Sequence, residues 1–203
     1  MSVRGVILAA GLGRRMGTFK QLLPFRGRPL LQHVIDAARA SRLENLLLVL
    51  GHAHDQVLPQ LDTQGLEVVV NRDFAAGQST SVRAGLEHRA DADGIMYLLG
   101  DQPLLNVAII DALIDCFLRE RPWAAVPVHH GQPGNPVIIG RPLMADVAAL
   151  CGDIGARRLL QKSQFVRRVE VDDPAILRDV DTMEDYLTLL EAEGTCRDEI
   201  FRP

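Results

Sequence analysis

Apolar residues in this chain cluster in short runs, separated by stretches where they recur every three or four positions. The runs are Val3 to Leu8, Leu46 to Leu50, Leu66 to Val70, Ile95 to Leu99 and Trp123 to Val128. A strand with one wet face alternates polar and apolar positions, so runs with several consecutive apolar residues predict buried strands. Between them, Leu30, Leu31, Val34, Ile35 and Ala38 place a stripe on one side of a helix whose first turn suits Pro29. Another helix is expected to run toward Arg89, capped by Ser79 or Ser81 and carrying Val82 and Leu86 on one face. Asn106 should cap a helix from Val107 to Leu118, and Tyr186, Leu187, Leu189 and Leu190 give the apolar positions of a last helix, Thr182 to Ala192, with Glu184, Asp185, Glu191 and Glu193 on its solvated side. Strand and helix patterns alternate, which predicts a single-domain α/β fold: a mostly parallel, doubly wound sheet with helices on both faces. The domain is expected over 1–194, with 195–203 a C-terminal tail.

The first run ends in Leu8-Ala9-Ala10-Gly11-Leu12-Gly13-Arg14-Arg15-Met16-Gly17, and Lys20 follows shortly after. Three glycines allow a tight turn that brings backbone N–H groups close to a ligand. Arg14, Arg15 and Lys20 add cations, and a strand feeding such a turn is a polyphosphate site. Two better-known loops fit poorly. The pattern G-x-x-x-x-G-K-[ST] fails because Thr18 and Phe19 separate Gly17 from Lys20. The dinucleotide fingerprint G-x-G-x-x-G/A fails at Met16, and Leu50-Gly51-His52 ends the second strand without its acidic residue.

Composition sharpens the picture only slightly. The chain has 203 residues, a net charge of −4 and few aromatics, which points to neither a nucleic-acid nor a membrane partner. The charge is uneven: residues 1–42 carry eight Lys or Arg against Asp36 alone, so the remainder is markedly acidic. A local anion site in an otherwise acidic protein accounts for that asymmetry. Cys116, Cys151 and Cys196 are scattered and form no C-x-x-C pair, which argues for a reducing compartment, and Cys116 sits at a core position of its helix. The N-terminal apolar run is too short for a secretory leader and no segment approaches a membrane span, so a cytoplasmic location is expected. His129 and His130 are neighbours on a strand, whose side chains point to opposite faces; they are not expected to share a metal ion.

In open α/β sheets ligands bind beyond the carboxyl ends of strands. The glycine turn, Asn71 and Gly100-Asp101 all follow predicted strands, so three polar motifs converge on one edge. Asp101, fixed between Gly100 and Pro103, is suited to hold Mg2+ against phosphate oxygens, though Asp before Pro also caps turns.

These motifs resemble the signature of the MobA-like nucleotidyltransferases, and most closely that of the molybdenum cofactor cytidylyltransferases. The similarity covers the first loop, Gly77-Gln78-Ser79-Thr80-Ser81-Val82-Arg83-Ala84-Gly85-Leu86, Gly100-Asp101-Gln102-Pro103, Gly134-Asn135-Pro136-Val137, Gly152-Asp153-Ile154-Gly155-Ala156-Arg157 and Asp179-Val180-Asp181-Thr182. The resemblance implies a Rossmann-like nucleotidyltransferase fold and transfer of CMP from CTP to molybdopterin-type molybdenum cofactor, with pyrophosphate released. It implies that Leu8, Ala9, Ala10, Gly11 and Gly13 lie against the nucleotide, that Gly77 and Ser81 form the second base-binding segment, and that Arg15 and Lys20 contact the triphosphate. Arg15, Lys20 and Asp101 are then the catalytic set, Asp101 and Asp181 the ligands of Mg2+ or Mn2+, and Asp179 an alternate; the rival use of Asp181 is to cap the last helix. Related guanylyltransferases usually show Leu-Ala-Gly-Gly where Ala10 stands here, which leans toward cytosine. The loop from His129 to Pro136 is expected to border the acceptor, with Asn135 where the family often has His. Gly152 to Arg157 is expected to open a helix facing the acceptor, with Arg157 either an anion contact or a solvated residue. An apo molybdenum hydroxylase would receive the product. Rival functions are guanylyl or cytidylyl transfer to another phosphorylated small molecule, or a non-catalytic cofactor carrier.

Overall fold

Alternate residues of each central strand enter different cores. On β1 (Val3–Ala9), Val3, Ile7 and Ala9 face one layer while Val6 and Leu8 face the other. The same alternation divides Leu48 and Leu50 from Leu47 and Val49 on β4 (Glu44–Leu50), and Met96 and Leu98 from Ile95 and Tyr97 on β6 (Gly94–Leu99). Both faces are covered, which is why consecutive apolar residues fill most of these segments. The first layer is closed by α1 (Leu30–Ala40) through Leu31, Val34, Ile35 and Ala38, and by α4 (Val107–Glu120) through Ile109, Ile110, Leu113 and Phe117. The second is closed by α3 (Gln78–Arg89) through Val82 and Leu86, and by the short α5 (Met144–Ala148) through Val147.

These relations come from a computed structural model, which describes residues 2–11, 19–161 and 163–194. Eight strands form one sheet, ordered β10-β7-β9-β6-β1-β4-β5 with β8 against β7. The remaining members are β5 (Glu67–Val70), β7 (Ala124–His129), β8 (Gln132–Pro133), β9 (Val137–Gly140) and β10 (Val166–Glu170). Pairing is parallel for β1 with β4 and β6, for β4 with β5 and for β7 with β10; β9 runs antiparallel between β6 and β7. The mostly parallel, doubly wound sheet is therefore present, with β9 and the short β8 as its reversed members. Register places Leu8 beside Leu99 and Ala9 beside Leu50, so the turns after β1, β4 and β6 leave the sheet side by side.

A third, smaller core lies outside the sheet. A two-stranded hairpin, β2 (Pro24–Phe25) with β3 (Arg28–Pro29), presents Phe25 and is joined by Leu30. Against it pack Tyr186, Leu189 and Leu190 of α6 (Met183–Ala192), and the Tyr186 hydroxyl donates to the Pro24 carbonyl at 2.6 Å. The one-turn α2 (His54–Val57) completes the helices of the described residues. None of these helices is long and apolar enough to cross a membrane.

Several local expectations are corrected. Ser79 and Ser81 do not cap α3: Gly77 holds the N-cap position and both serines are buried within the helix. Residues 152–155 bend instead of opening a helix, and only a 3-10 segment, Ala156–Gln161, follows. Pro29 ends β3 and lies just before the helix rather than in its first turn. Asp185 is not simply solvated: Thr182 caps α6 in a reciprocal capping box with it, which leaves the Asp181 side chain free of that duty. The expected tail, 195–203, lies outside the described residues.

Truncating Leu189 to Ala should remove part of the third core and lower the unfolding free energy by about 2–5 kcal/mol in a urea titration. A change below about 0.5 kcal/mol would mean that α6 does not dock there.

Candidate active site

The turns after β1 and β6, the start of α3 and the segment leading into α6 enclose a cleft of about 780 Å³. Leu8, Ala9, Ala10, Gly11, Lys20, Gly77, Ser81, Asp101, Asp179 and Asp181 all line it. Asn135 does not. It lies with Gln78, Tyr97, Val137 and Arg157 in a neighbouring hollow of about 190 Å³, which shares Leu8, Gln78 and Leu99 with the cleft. Gly13, Arg14 and Arg15 fall outside the described residues.

Lys20 is the centre of the cleft's electrostatics. Its Nζ donates to Asp101 Oδ2 at 2.6 Å and to Asp181 Oδ1 at 2.9 Å, joining residues from the two ends of the chain. The Lys20 side chain is 14% exposed, against 20% for Asp101 and 48% for Asp181. Burial disfavours the ammonium, but the charge and hydrogen bond of Asp101, reinforced by Asp181, outweigh it and hold its pKa above the ordinary value. Asp179 reaches solvent, yet desolvation by the surrounding protein and the nearby Asp101 and Asp181 carboxylates raise its pKa. The backbone fixes the meeting as well: the Val180 amide donates to the Asp101 carbonyl at 2.9 Å.

Asp101 Oδ1 is buried and has no hydrogen-bond partner. An orphaned carboxylate oxygen beside a second carboxylate is a donor set that fits a hard divalent cation, which takes one or two carboxylates and completes its shell with water and phosphate. Among the described residues, the one set of three or more ligand atoms close enough to share an ion is elsewhere, at His129, His130 and Asp172. The cleft therefore offers a two-carboxylate site.

The walls of the cleft and hollow are held by further side chains, of which Gln21 is one to which the sequence reading assigns no role. Gln21 is buried and donates from Nε2 to the Ala9 carbonyl at 3.1 Å, fixing the start of the glycine turn. Its only sequence signal is adjacency to Lys20. Asn71, at the end of β5, donates to Thr80 Oγ1 at 2.8 Å and Ser81 Oγ at 3.0 Å, tying that strand to α3. Gln102 Nε2 and the Asn135 amide both donate to the Ile176 carbonyl, at 3.2 and 3.0 Å, which joins the β6 exit to the loop before β9. Arg157 donates to the Pro133 carbonyl at 3.2 Å instead of standing fully solvated. Gly77 has φ 109° and ψ 169°, and a Cβ there would fall 2.4 Å from the Gly152 carbonyl carbon. Only glycine accepts both conditions.

Residues 5–169 match the MobA-like NTP transferase domain. The chain belongs to that family. Among its relatives is a Paenarthrobacter nicotinovorans protein named nicotine blue oxidoreductase, 33% identical, with 93% of this chain and 96% of that protein covered. Another is the molybdenum cofactor cytidylyltransferase of Escherichia coli K12, 27% identical over 92% of this chain and 94% of that one. Rv0371c of Mycobacterium tuberculosis H37Rv, solved as a complex with manganese, superposes with a TM-score of 0.81 at 34% identity, covering 95% of this chain and all of its own. This MobA-like chain is thus a nucleotidyltransferase by family and fold.

Gly77→Ala should destabilise the protein by about 1–3 kcal/mol, because the backbone region is reserved for glycine and the Gly152 carbonyl must move. Thermal unfolding measures it; an unchanged melting temperature would show that the loop yields without cost.

Proposed function

We propose that this protein transfers CMP from CTP to the terminal phosphate of a molybdopterin-type molybdenum cofactor, releasing pyrophosphate. The observation that carries the reading is the meeting of Lys20, Asp101 and Asp181 at the mouth of a cleft of nucleotide size. The E. coli relative named for this activity supports the acceptor, and Leu8-Ala9-Ala10-Gly11 supports cytosine.

In the proposed reaction a phosphate oxygen of the acceptor attacks the α-phosphorus of CTP, and the bond from that phosphorus to the bridging oxygen breaks. Such transfer depends on positioning and on positive charge rather than on a covalent nucleophile. No general base is required, because a phosphate monoester is already ionised near neutrality. Lys20, released from one carboxylate, stabilises charge around the α-phosphate and the departing pyrophosphate, with Arg15 on the triphosphate. When bound, Mg2+ or Mn2+ supplies neutralisation of phosphate charge, with Asp101 and Asp181 as its protein ligands. The backbone of Ala9, Ala10 and Gly11, together with Gly77 and Ser81, receives the base, and the family resemblance assigns Gly13 to nucleotide binding as well. Asn135 borders the acceptor in the adjoining hollow.

The relative named as an oxidoreductase motivates a second reading, in which the fold holds a dinucleotide for hydride transfer. The fingerprint for that ligand fails at Met16, and β4 runs into Gly51-His52 without an acidic residue. Phosphoryl chemistry is favoured on those grounds.

Pyrophosphate release measured with each of the four NTPs, with Mg2+ and with or without molybdopterin, tests the proposal. Release should require CTP and molybdopterin together; turnover with GTP alone overturns the cytosine assignment, and none with any NTP overturns transfer. Asp101→Ala should lower turnover by at least about 10²–10³-fold while circular dichroism remains unchanged. Full activity in that variant removes Asp101 from the reaction.

A further inference from the structure

We propose that His129, His130 and Asp172 form a binding site for a divalent transition-metal ion of the zinc type, separate from the two carboxylates of the cleft. Strand geometry would send the two histidines to opposite faces, and the sequence reading excludes the pair for that reason. The structure overturns it. β7 ends at His129, His130 takes φ 48° and Gly131 φ 81°, and this left-handed reversal swings the second ring round beside the first. The ring centroids are 4.1 Å apart. Asp172, just after β10, joins them, and one ligand atom from each residue lies within 4.8 Å of the others.

A second observation concerns tautomers. His129 Nδ1 lies 3.0 Å from the Val171 carbonyl oxygen, a group that can only accept. Nδ1 therefore carries the proton and Nε2 keeps its lone pair, the arrangement that backbone carbonyls impose on metal-binding histidines. The frame around the three residues is fixed. The Val171 amide donates to the Val128 carbonyl at 2.9 Å, and Asp173 is engaged with Ala175 N and Asn106 Nδ2, both at 2.8 Å. His130 and Asp172 are exposed and free to rotate. With bonds of about 2.0–2.2 Å, tetrahedral ligands of one ion stand roughly 3.4 Å apart, so small rotations close the set.

Two imidazoles and one carboxylate select zinc, nickel or cobalt over magnesium, which prefers oxygen alone. The ion would join the β7 hairpin to the start of the segment that passes through Ile176 and ends at Asp179 and Asp181. It would act as a tie on the segment that delivers those carboxylates, with one coordination position left to water.

The test is a Co2+ titration of the full chain, purified without a histidine tag, followed by visible absorption and then by displacement with Zn2+. Wild type should show the intense bands of a four-coordinate ion, resistant to excess Mg2+, and Zn2+ should raise its melting temperature. His130→Asn and Asp172→Asn keep size, and Asn tolerates the left-handed backbone at 130. Each should weaken Co2+ binding at least about tenfold and abolish the Zn2+ stabilisation. Absence of four-coordinate bands in wild type overturns the proposal. So does undiminished affinity in both variants, which would put the ion on the cleft carboxylates or on cysteine.

Discussion

Two carboxylates cannot be held close together in a partly dry cleft unless a cation stands between them, and Lys20 is that cation. Its ammonium bridges Asp101, which follows the central strand β6, and Asp181, which precedes the last helix. The rest of the arrangement makes the bridge geometrically cheap. The Val180 amide is bound to the Asp101 carbonyl, Thr182 and Asp185 cap α6 on each other, and Tyr186, Leu189 and Leu190 bury themselves against the hairpin that follows Lys20. The apolar contact of α6 and the polar contact of Lys20 therefore stabilise the same approach of the chain's two ends.

That arrangement explains what could be read in advance. Strands β1, β4, β6 and β7 were legible because burial on both faces leaves a largely apolar run, and the edge strand β5 because three consecutive valines remain in it. The motif residues after β1 and β6 were legible because strand ends in a parallel sheet share one edge. Asp101 and Lys20 thus fell together for a topological reason. What was not legible depends on contacts between distant segments. Ser79 and Ser81 look like caps locally, but the Gly152 backbone crowds Gly77 and shifts the helix start. Residues 152–155 have helical neighbours in sequence, yet their use is to contact α3: Gly152 accepts from Ser79 N, and Asp153 accepts from Gln78 N. The His129-His130 geometry was missed because one left-handed residue breaks the period-two rule, and a histidine rarely announces positive φ.

The division between cleft and hollow bears on how relatives with such different printed names share one fold. The cleft is built from backbone turns, from Asn71 and Gln21 as struts, and from the lysine–carboxylate bridge, none of which reads an acceptor's shape. The adjoining hollow is walled by Gln78, Tyr97, Asn135, Val137 and Arg157, side chains that can change without disturbing the bridge. On the proposed function, nucleotide handling and acceptor choice are therefore separable, and divergence among relatives is expected in the hollow.

The same separation governs charge. The Tyr97 hydroxyl, buried between hollow and core, donates to the Val82 carbonyl, and desolvation raises its pKa far above the ordinary value, so it stays a neutral donor. In the cleft, by contrast, Lys20 restrains two carboxylates and Asp101 Oδ1 remains unpartnered. A ligand that carries its own negative charge and its own cation relieves both features at once: the phosphates take the ammonium, and the cation takes the free oxygen. An apolar or neutral ligand would do neither, and would leave the buried oxygen as costly as before. The proposed nucleotidyl transfer is thus supported by what the cleft leaves unsatisfied as much as by what it contacts.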